Sequence, residues 1–261
     1  MRAIEDQTVL ITGATDGIGE EIARQLAALG AAVIVHGRSP ERAEAARRRT
    51  GAAEVAVADL ASFAQVRALA DDIAGRHARL DALVNNAGIG YGTAPPRGSR
   101  TEDGREPTWQ VNFLSAYLLT ESLRGPLTGG RVVHVSSGVH SSGTADLEQP
   151  DDPRTASPYA QSKIALVMLA REQGERWRGE IDVNACSPGW IATKMGGSGG
   201  GSLADGADTP LWLLTDPGLE GVSGRYFASR REREPNPQVE DADARRRLIE
   251  IAAAATGTPP A

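Results

Sequence analysis

Two residues in the second half of the chain are spaced for proton chemistry. Tyr159 and Lys163 lie four positions apart in a stretch, Tyr159 to Trp177, whose pattern predicts a long helix. That spacing puts both side chains on one helix face. A free phenol ionises near ~10, far above working pH. An ammonium beside it favours the phenolate and lowers that value. The phenol then becomes a usable acid/base for a carbonyl–alcohol pair. A Tyr-x-x-x-Lys pair can arise by chance in any helix. This lysine, however, is one of only two, with Lys194, in a chain whose positive charge is otherwise arginine. Ser136 and Ser137 close a strand pattern, Arg131 to Val135, just upstream. They could be hydroxyls that orient a substrate oxygen or simply cap a turn.

A second constellation sits near the start. Thr12-Gly13-Ala14-Thr15-Asp16-Gly17-Ile18-Gly19 joins a short apolar run, Thr8 to Thr12, to a helical repeat of Ile18, Ile22, Leu26 and Leu29. Glycines permit tight turning and close backbone approach. The helix start then offers free N–H groups and a positive dipole end to a diphosphate. A purely structural turn is the alternative. The flanking strand and helix favour a dinucleotide.

The elements that must position these groups alternate. Strand patterns at Ala32–His36, Glu54–Ala58, Leu80–Val84, Arg131–Val135 and Asp182–Cys186 are separated by helical stretches, one starting at Pro40, one capped by Ser62 and one from Trp109 to Leu123. Most strands are continuous apolar runs, as expected when both faces are covered. The pattern predicts a single α/β domain over residues 1–255. It should be a Rossmann-like, doubly wound parallel sheet of about seven strands with helices on both faces. Each suggestive motif falls at a strand's carboxyl end, where such sheets bind ligands. Gly196 to Ser202 reads as a flexible loop and residues 256–261 as a disordered tail.

Composition narrows the class. The 261 residues are 40% hydrophobic and 24% charged, with a net charge of −6. That balance argues against nucleic acid or an anionic membrane as the main partner. No apolar run approaches the ~20 residues needed to cross a bilayer. The start lacks the apolar stretch of a signal peptide, so cytoplasmic residence is the default. The one cysteine, Cys186, cannot form an internal disulfide, and no metal-ligand spacing is present. Arg47-Arg48-Arg49 is offset by Glu41, Glu44 and Glu54 and reads as a solvated helix face.

Together these motifs resemble the short-chain dehydrogenase/reductase family over about residues 7 to 230. Gly13, Gly17 and Gly19 fit its TGxxxGxG pattern, and Tyr159-Ala-Gln-Ser-Lys163-Ile-Ala-Leu166 is similar to its catalytic signature. The resemblance implies hydride transfer between a nicotinamide and a carbonyl or secondary alcohol. Ser137, with Ser136 as runner-up, would polarise the substrate oxygen, and Tyr159 would exchange the proton. Lys163 would hold the cofactor ribose and tune Tyr159. Asn112 would help hold a water that links the lysine to solvent. Cofactor contacts would come from Gly13, Thr15, Asp16, Gly17, Ile18 and Gly19 in the turn, and from Asp59 and Leu60 at the adenine. Asn86, Ala87 and Gly88 of an NNAG motif, and Pro188, Gly189, Ile191 and Thr193 of a PG segment, would complete the set, with Tyr159 and Lys163 bordering it.

NAD-preferring enzymes usually carry an acid at the end of the second strand. Here Gly37 takes that place, and Arg38 follows with a cation suited to a phosphate. Asp16 counts mildly against a 2′-phosphate. NADP(H) is favoured over NAD(H). The resemblance further implies a homodimer or homotetramer paired through the helices that begin near Trp109 and Tyr159. Twenty-two positions separate Ser137 from Tyr159, an insertion similar to the retinol dehydrogenase-like and protochlorophyllide reductase-like branch. That branch often acts on apolar or bulky carbonyls. His140, in the insertion, reads as a surface residue. Trp190 stands near the expected site, Lys194 should face solvent, and the segment after Thr193 should be a lid that is disordered without ligand. Two other readings fit the scaffold: a non-catalytic dinucleotide sensor, which the Ser137, Tyr159 and Lys163 set disfavours, and a reductase of an activated C=C bond.

Overall fold

The computed structural model describes residues 2–152 and 157–260. The chain alternates as expected: β1 (Thr8–Ile11), α1 (Gly17–Ala28), β2 (Ala32–Gly37), α2 (Pro40–Thr50), β3 (Glu54–Val57), α3 (Phe63–Arg76) and β4 (Ala82–Asn85). Then α4 (Pro107–Trp109) passes through a wide π turn, Gln110–Leu114, into α5 (Ser115–Ser122), and α6 (Arg124–Leu127) follows. The rest is β5 (Arg131–Val135), α7 (Pro158–Arg176), β6 (Asp182–Ser187), α8 (Leu203–Thr215), β7 (Tyr226–Ala228), β8 (Arg231–Glu232) and α9 (Ala242–Thr256).

These strands form one sheet in the order β3-β2-β1-β4-β5-β6-β7-β8. All neighbours are parallel except β7 and β8. The eighth strand exceeds the expected seven. At two residues, Arg231 and Glu232, it is too short to leave a hydrophobic pattern. The chain reverses direction across the sheet between β1 and β4, which opens the crevice where doubly wound sheets take ligands.

Side chains alternate across each strand. Leu10, Ile34, Leu83, Val132 and Val183 feed one apolar layer, packed under α3, α5, α7 and α9. Val9, Ile11, Val33, Val35, Val84 and Val135 feed the other, under α1 and α8. Both faces are covered, which is why the strands read as continuous apolar runs. Caps fix the helix starts. Ser39 accepts from Arg42 N at 3.2 Å beside Pro40, Ser62 accepts from Gln65 N at 3.4 Å, and Ser157 accepts from Ala160 N at 3.2 Å beside Pro158.

Three expectations change. The pairing surface implied by the resemblance is already occupied. Every residue from Asn112 to Glu121 and from Ala160 to Ala170 is buried within the single chain. Helix α9 lies against α5 and α7, burying Leu248, Ile249 and Ala252. Arg245 of α9 is itself buried and pairs with Glu172 at 3.2 Å and Glu175 at 2.8 Å on α7. Among the described residues, a partner pairing in that mode would meet α9 where it lies over α5 and α7. The chain's end is also tied down. Arg67 Nη1 donates to Thr258 Oγ1 at 3.0 Å, and the Tyr117 hydroxyl donates to Thr258 O at 2.9 Å. Finally, the glycine-rich segment is held by its own backbone. Ala192 N donates to Gly201 O at 2.9 Å, Gly201 N to Trp190 O at 2.8 Å and Gly197 N to Thr193 O at 2.9 Å. Among the described residues no helix is long and apolar enough to cross a membrane.

Candidate active site

The glycine turn is built from partly buried hydrogen bonds. Thr12 Oγ1 accepts from the backbone N–H of Asn86 and of Ala87, both at 3.0 Å. The Asn86 amide donates to Thr12 O at 2.9 Å and Gly13 O at 3.2 Å. The NNAG motif thus pins the turn from the neighbouring strand end. Gly13 adopts φ +64°, and a Cβ there would stand 2.8 Å from Ala87 Cα. Only glycine meets both conditions. Gly17 opens α1 at φ +60°, and a Cβ on it would find only Thr193 Cγ2, at 3.8 Å. The helix start therefore faces open space, as a diphosphate requires.

Asp16, at the N-cap of α1, carries two ion pairs, to Arg42 at 2.8 Å and Lys194 at 2.7 Å. Burial raises its carboxyl, but the hydrogen bonds and charges of Lys194 and Arg42 outweigh that and hold it below its ordinary value. Lys194 is exposed, as expected, yet it spans the groove from the lid side. At the end of β2, a side chain on Gly37 would overlap the γ-methyl of Thr15. A carboxylate cannot stand there with Thr15 in place. Arg38 is exposed beside it. Asp59 accepts from Ala61 N at 2.9 Å, and buried Leu60 accepts from the Ser115 hydroxyl at 2.6 Å, which fixes the strand exit.

The proton-transfer candidates converge at the ends of β4 and β5. Ser137 lies near enough to the Tyr159 phenol to act on its ionisation. Burial separates the two serines. Ser136 is 2% exposed and donates to Lys163 O at 2.7 Å, so it anchors α7 and has no free hydroxyl. Lys163 is buried, with Nζ 5.5 Å from the centre of the Tyr159 ring and donating to Val135 O at 2.8 Å. Burial pushes this ammonium down to about 8. Tyr159 differs from the expectation of an acidified phenol. Burial raises it above its ordinary value, the Ser137 side chain lowers it partway, and Tyr91 adds to the rise. In this structure the ammonium is turned toward a carbonyl, and desolvation dominates.

Asn112 lies in the π turn, a deviation that is frequent at functional sites. Its amide donates to Ile89 O and Ser162 Oγ, each at 2.9 Å, and its Oδ1 accepts from Ile89 N at 2.8 Å. A Cβ on Gly88 would stand 3.3 Å from Asn112 Oδ1 and 3.5 Å from Lys163 Nζ. Gly88, Asn112 and Lys163 therefore share one small polar space.

Pro188, Gly189, Ile191 and Thr193 follow β6 along the outer wall. Gly189 turns at φ +84°, Ile191 is buried, and Thr193 Oγ1 accepts from Gly196 N at 2.9 Å. Ile18 and Ile191 both crowd Gly206 of α8, each within about 3 Å of where a Cβ would stand. The lid is thus packed down on the glycine turn. Trp190 remains 68% exposed and donates to Gly196 O at 2.8 Å.

Some residues escaped the sequence reading. His140 is buried, not at the surface. Its Nδ1 donates to Ser137 O at 2.8 Å, and its ring stacks on Tyr226 with centroids 4.4 Å apart. Gly90 touches the Tyr159 ring so closely that any side chain there would overlap it. Tyr91, 58% exposed, leans on Tyr159 at 5.0 Å between centroids. The run Gly90-Tyr91-Gly92 beyond the NNAG motif was the only available signal. Residues 153–156 of the insertion lie outside the described residues.

A family model, short chain dehydrogenase, matches residues 7–200. The chain belongs to the short chain dehydrogenase family. A candidate daunorubicin C-13 ketoreductase of Streptomyces sp. strain C5 is 35% identical to it over 271 residues, covering 96% of this chain and 93% of that one. Mouse retinol dehydrogenase 14 is 33% identical over 291 residues, covering 96% and 86%. A candidate short chain dehydrogenase of Escherichia coli CFT073, solved with NADPH, superposes with a TM-score of 0.69 at 28% identity, over 85% of this chain and 95% of that one. The chain is a short-chain oxidoreductase of the retinol dehydrogenase-like branch. Its glycine turn, open helix start and strand-end polar groups suit a nicotinamide dinucleotide.

Proposed function

We propose that this short-chain dehydrogenase is an NADP(H)-dependent carbonyl reductase or secondary alcohol dehydrogenase. The reading is carried by one observation: the Ser137 side chain stands near enough to the Tyr159 phenol to lower it, while the Lys163 ammonium stands 5.5 Å from the same ring. When bound, the nicotinamide supplies or accepts the hydride. The chain's own residues do the rest. Ser137 donates a hydrogen bond to the substrate oxygen and orients it. Tyr159, raised by burial and so protonated at neutral pH, delivers its proton to that oxygen during reduction. Lys163 holds the ribose and, swung from Val135 O, stabilises the phenolate left behind. Asn112 and Gly88 shape the path by which that proton is replaced.

NADP(H) is favoured over NAD(H) because Gly37 leaves no room for a carboxylate, Arg38 is exposed at the strand end, and Asp16 is offset by two cations. The NADPH-bound Escherichia coli neighbour agrees with this choice. The substrate class is a bulky apolar carbonyl. Two exposed aromatics, Tyr91 and Trp190, stand beside the candidate site, and relatives are named for retinol and for daunorubicin. Cytoplasmic residence remains part of the proposal, to be checked by fractionating cells.

The test is NADPH consumption across a panel of aryl and polyene ketones. Tyr159→Phe should cut turnover by about 10²–10⁴-fold while NADPH still binds. Full turnover in that variant would defeat the mechanism. Arg38→Asp should weaken NADPH binding by about tenfold or more without weakening NADH. Unchanged NADPH affinity there would defeat the cofactor choice.

A further inference from the structure

We propose that His36 is the positioning residue of the diphosphate turn, a role that rests on the dinucleotide reading above. The side chain is 2% exposed at the carboxyl end of β2. The Gly13 backbone N–H donates to its Nδ1 at 3.2 Å. Its Nε2 lies 3.1 Å from Ala58 O. The first bond requires Nδ1 to be the acceptor. The ring must then carry its proton on Nε2 and donate it to Ala58. Both ring nitrogens are used, and the tautomer is fixed by its neighbours.

The backbone repeats the connection. Ala14 N donates to His36 O at 2.9 Å, and Ala58 N donates to Gly37 O at 3.2 Å. One residue of β2 therefore ties the turn after β1 to the exit of β3, where Asp59 is the expected adenine contact. A valine, as at Val33 and Val35, would serve packing alone. It would leave the half-buried Gly13 N–H without this acceptor, a costly state that water or a rotation of the peptide would have to relieve. Rotation at Gly13 would move the segment that must receive the diphosphate. Protonation is equally unwelcome, since it would set a second N–H against that of Gly13, and burial holds the imidazole down to about 4.

Three variants separate positioning from mere stability. In His36→Asn the side-chain oxygen reproduces the Nδ1 acceptor. In His36→Gln the longer amide reaches toward Ala58 instead. His36→Leu removes both. NADPH binding to the full chain is measured by calorimetric titration, with melting temperature alongside. The expected result is Kd raised about tenfold in His36→Leu and in His36→Gln, but within about threefold of wild type in His36→Asn. The Asn and Gln variants should melt together. Should the leucine variant fail to fold, the Asn/Gln contrast carries the test. Equal Kd in Asn and Gln, or an unchanged Kd in Leu, overturns the proposal. Failure of the wild-type chain to bind NADPH or NADH would instead overturn the dinucleotide reading and this inference with it.

Discussion

The two walls of the groove over the first helix are held in different ways. The inner wall is the set of strand ends: Thr12, Asn86, Ala87 and His36 close it with uncharged, partly buried hydrogen bonds. The outer wall is the lid after β6. It is closed across the groove by an exposed ion pair, Lys194 to Asp16, with side chains 76% and 48% accessible. Buried neutral bonds are costly to break because each leaves an unpaired group out of reach of water. Exposed ion pairs contribute about 0–1 kcal/mol and are screened by salt. One wall is thus held by neutral bonds within the fold, and the other is bridged to it by a charge pair that salt weakens.

Acid should break the inner wall first and with the largest effect. Burial depresses His36 of the inner wall, and likewise the buried His134 of β5 outside it, to about 4, against an ordinary value of 6.5. Each is therefore harder to protonate folded than unfolded. Their contribution is fully present above pH 6.5 and is lost as pH falls from there through 4, up to about 3 kcal/mol per histidine. Urea unfolding between pH 7 and 4 checks this. A flat stability over that span would mean that neither imidazole is buried neutral.

The outer wall should give a smaller and salt-dependent response. Lys194→Ala is expected to speed NADPH release by about two- to fivefold at low ionic strength, with wild type and variant converging near 1 M salt. Stopped-flow release measured across a salt series decides it. A difference that persists at high salt would show that Lys194 contributes more than its charge.

The inner wall was also the more legible in sequence. Its parts are local: glycines between a strand and a helix, and an asparagine pair at the next strand end. The outer wall was misjudged because glycine content was read as disorder. Its order comes from backbone bonds between positions such as Trp190 and Gly201, and composition carries no sign of these.

Residue order alone determined the alternation of strands and helices, the turn glycines and the shared face of Tyr159 and Lys163, because each depends on steric rules acting over a few neighbouring positions. The rest waited for the packed chain. That Ser137 reaches the phenol while Ser136 is spent on α7, that desolvation raises Tyr159 while Lys163 turns to a carbonyl, that α9 covers α5 and α7, and that His36 joins two strand exits are all consequences of segments far apart in the chain. Burial and hydrogen-bond partnership belong to that arrangement in space, so local sequence rules could not supply them.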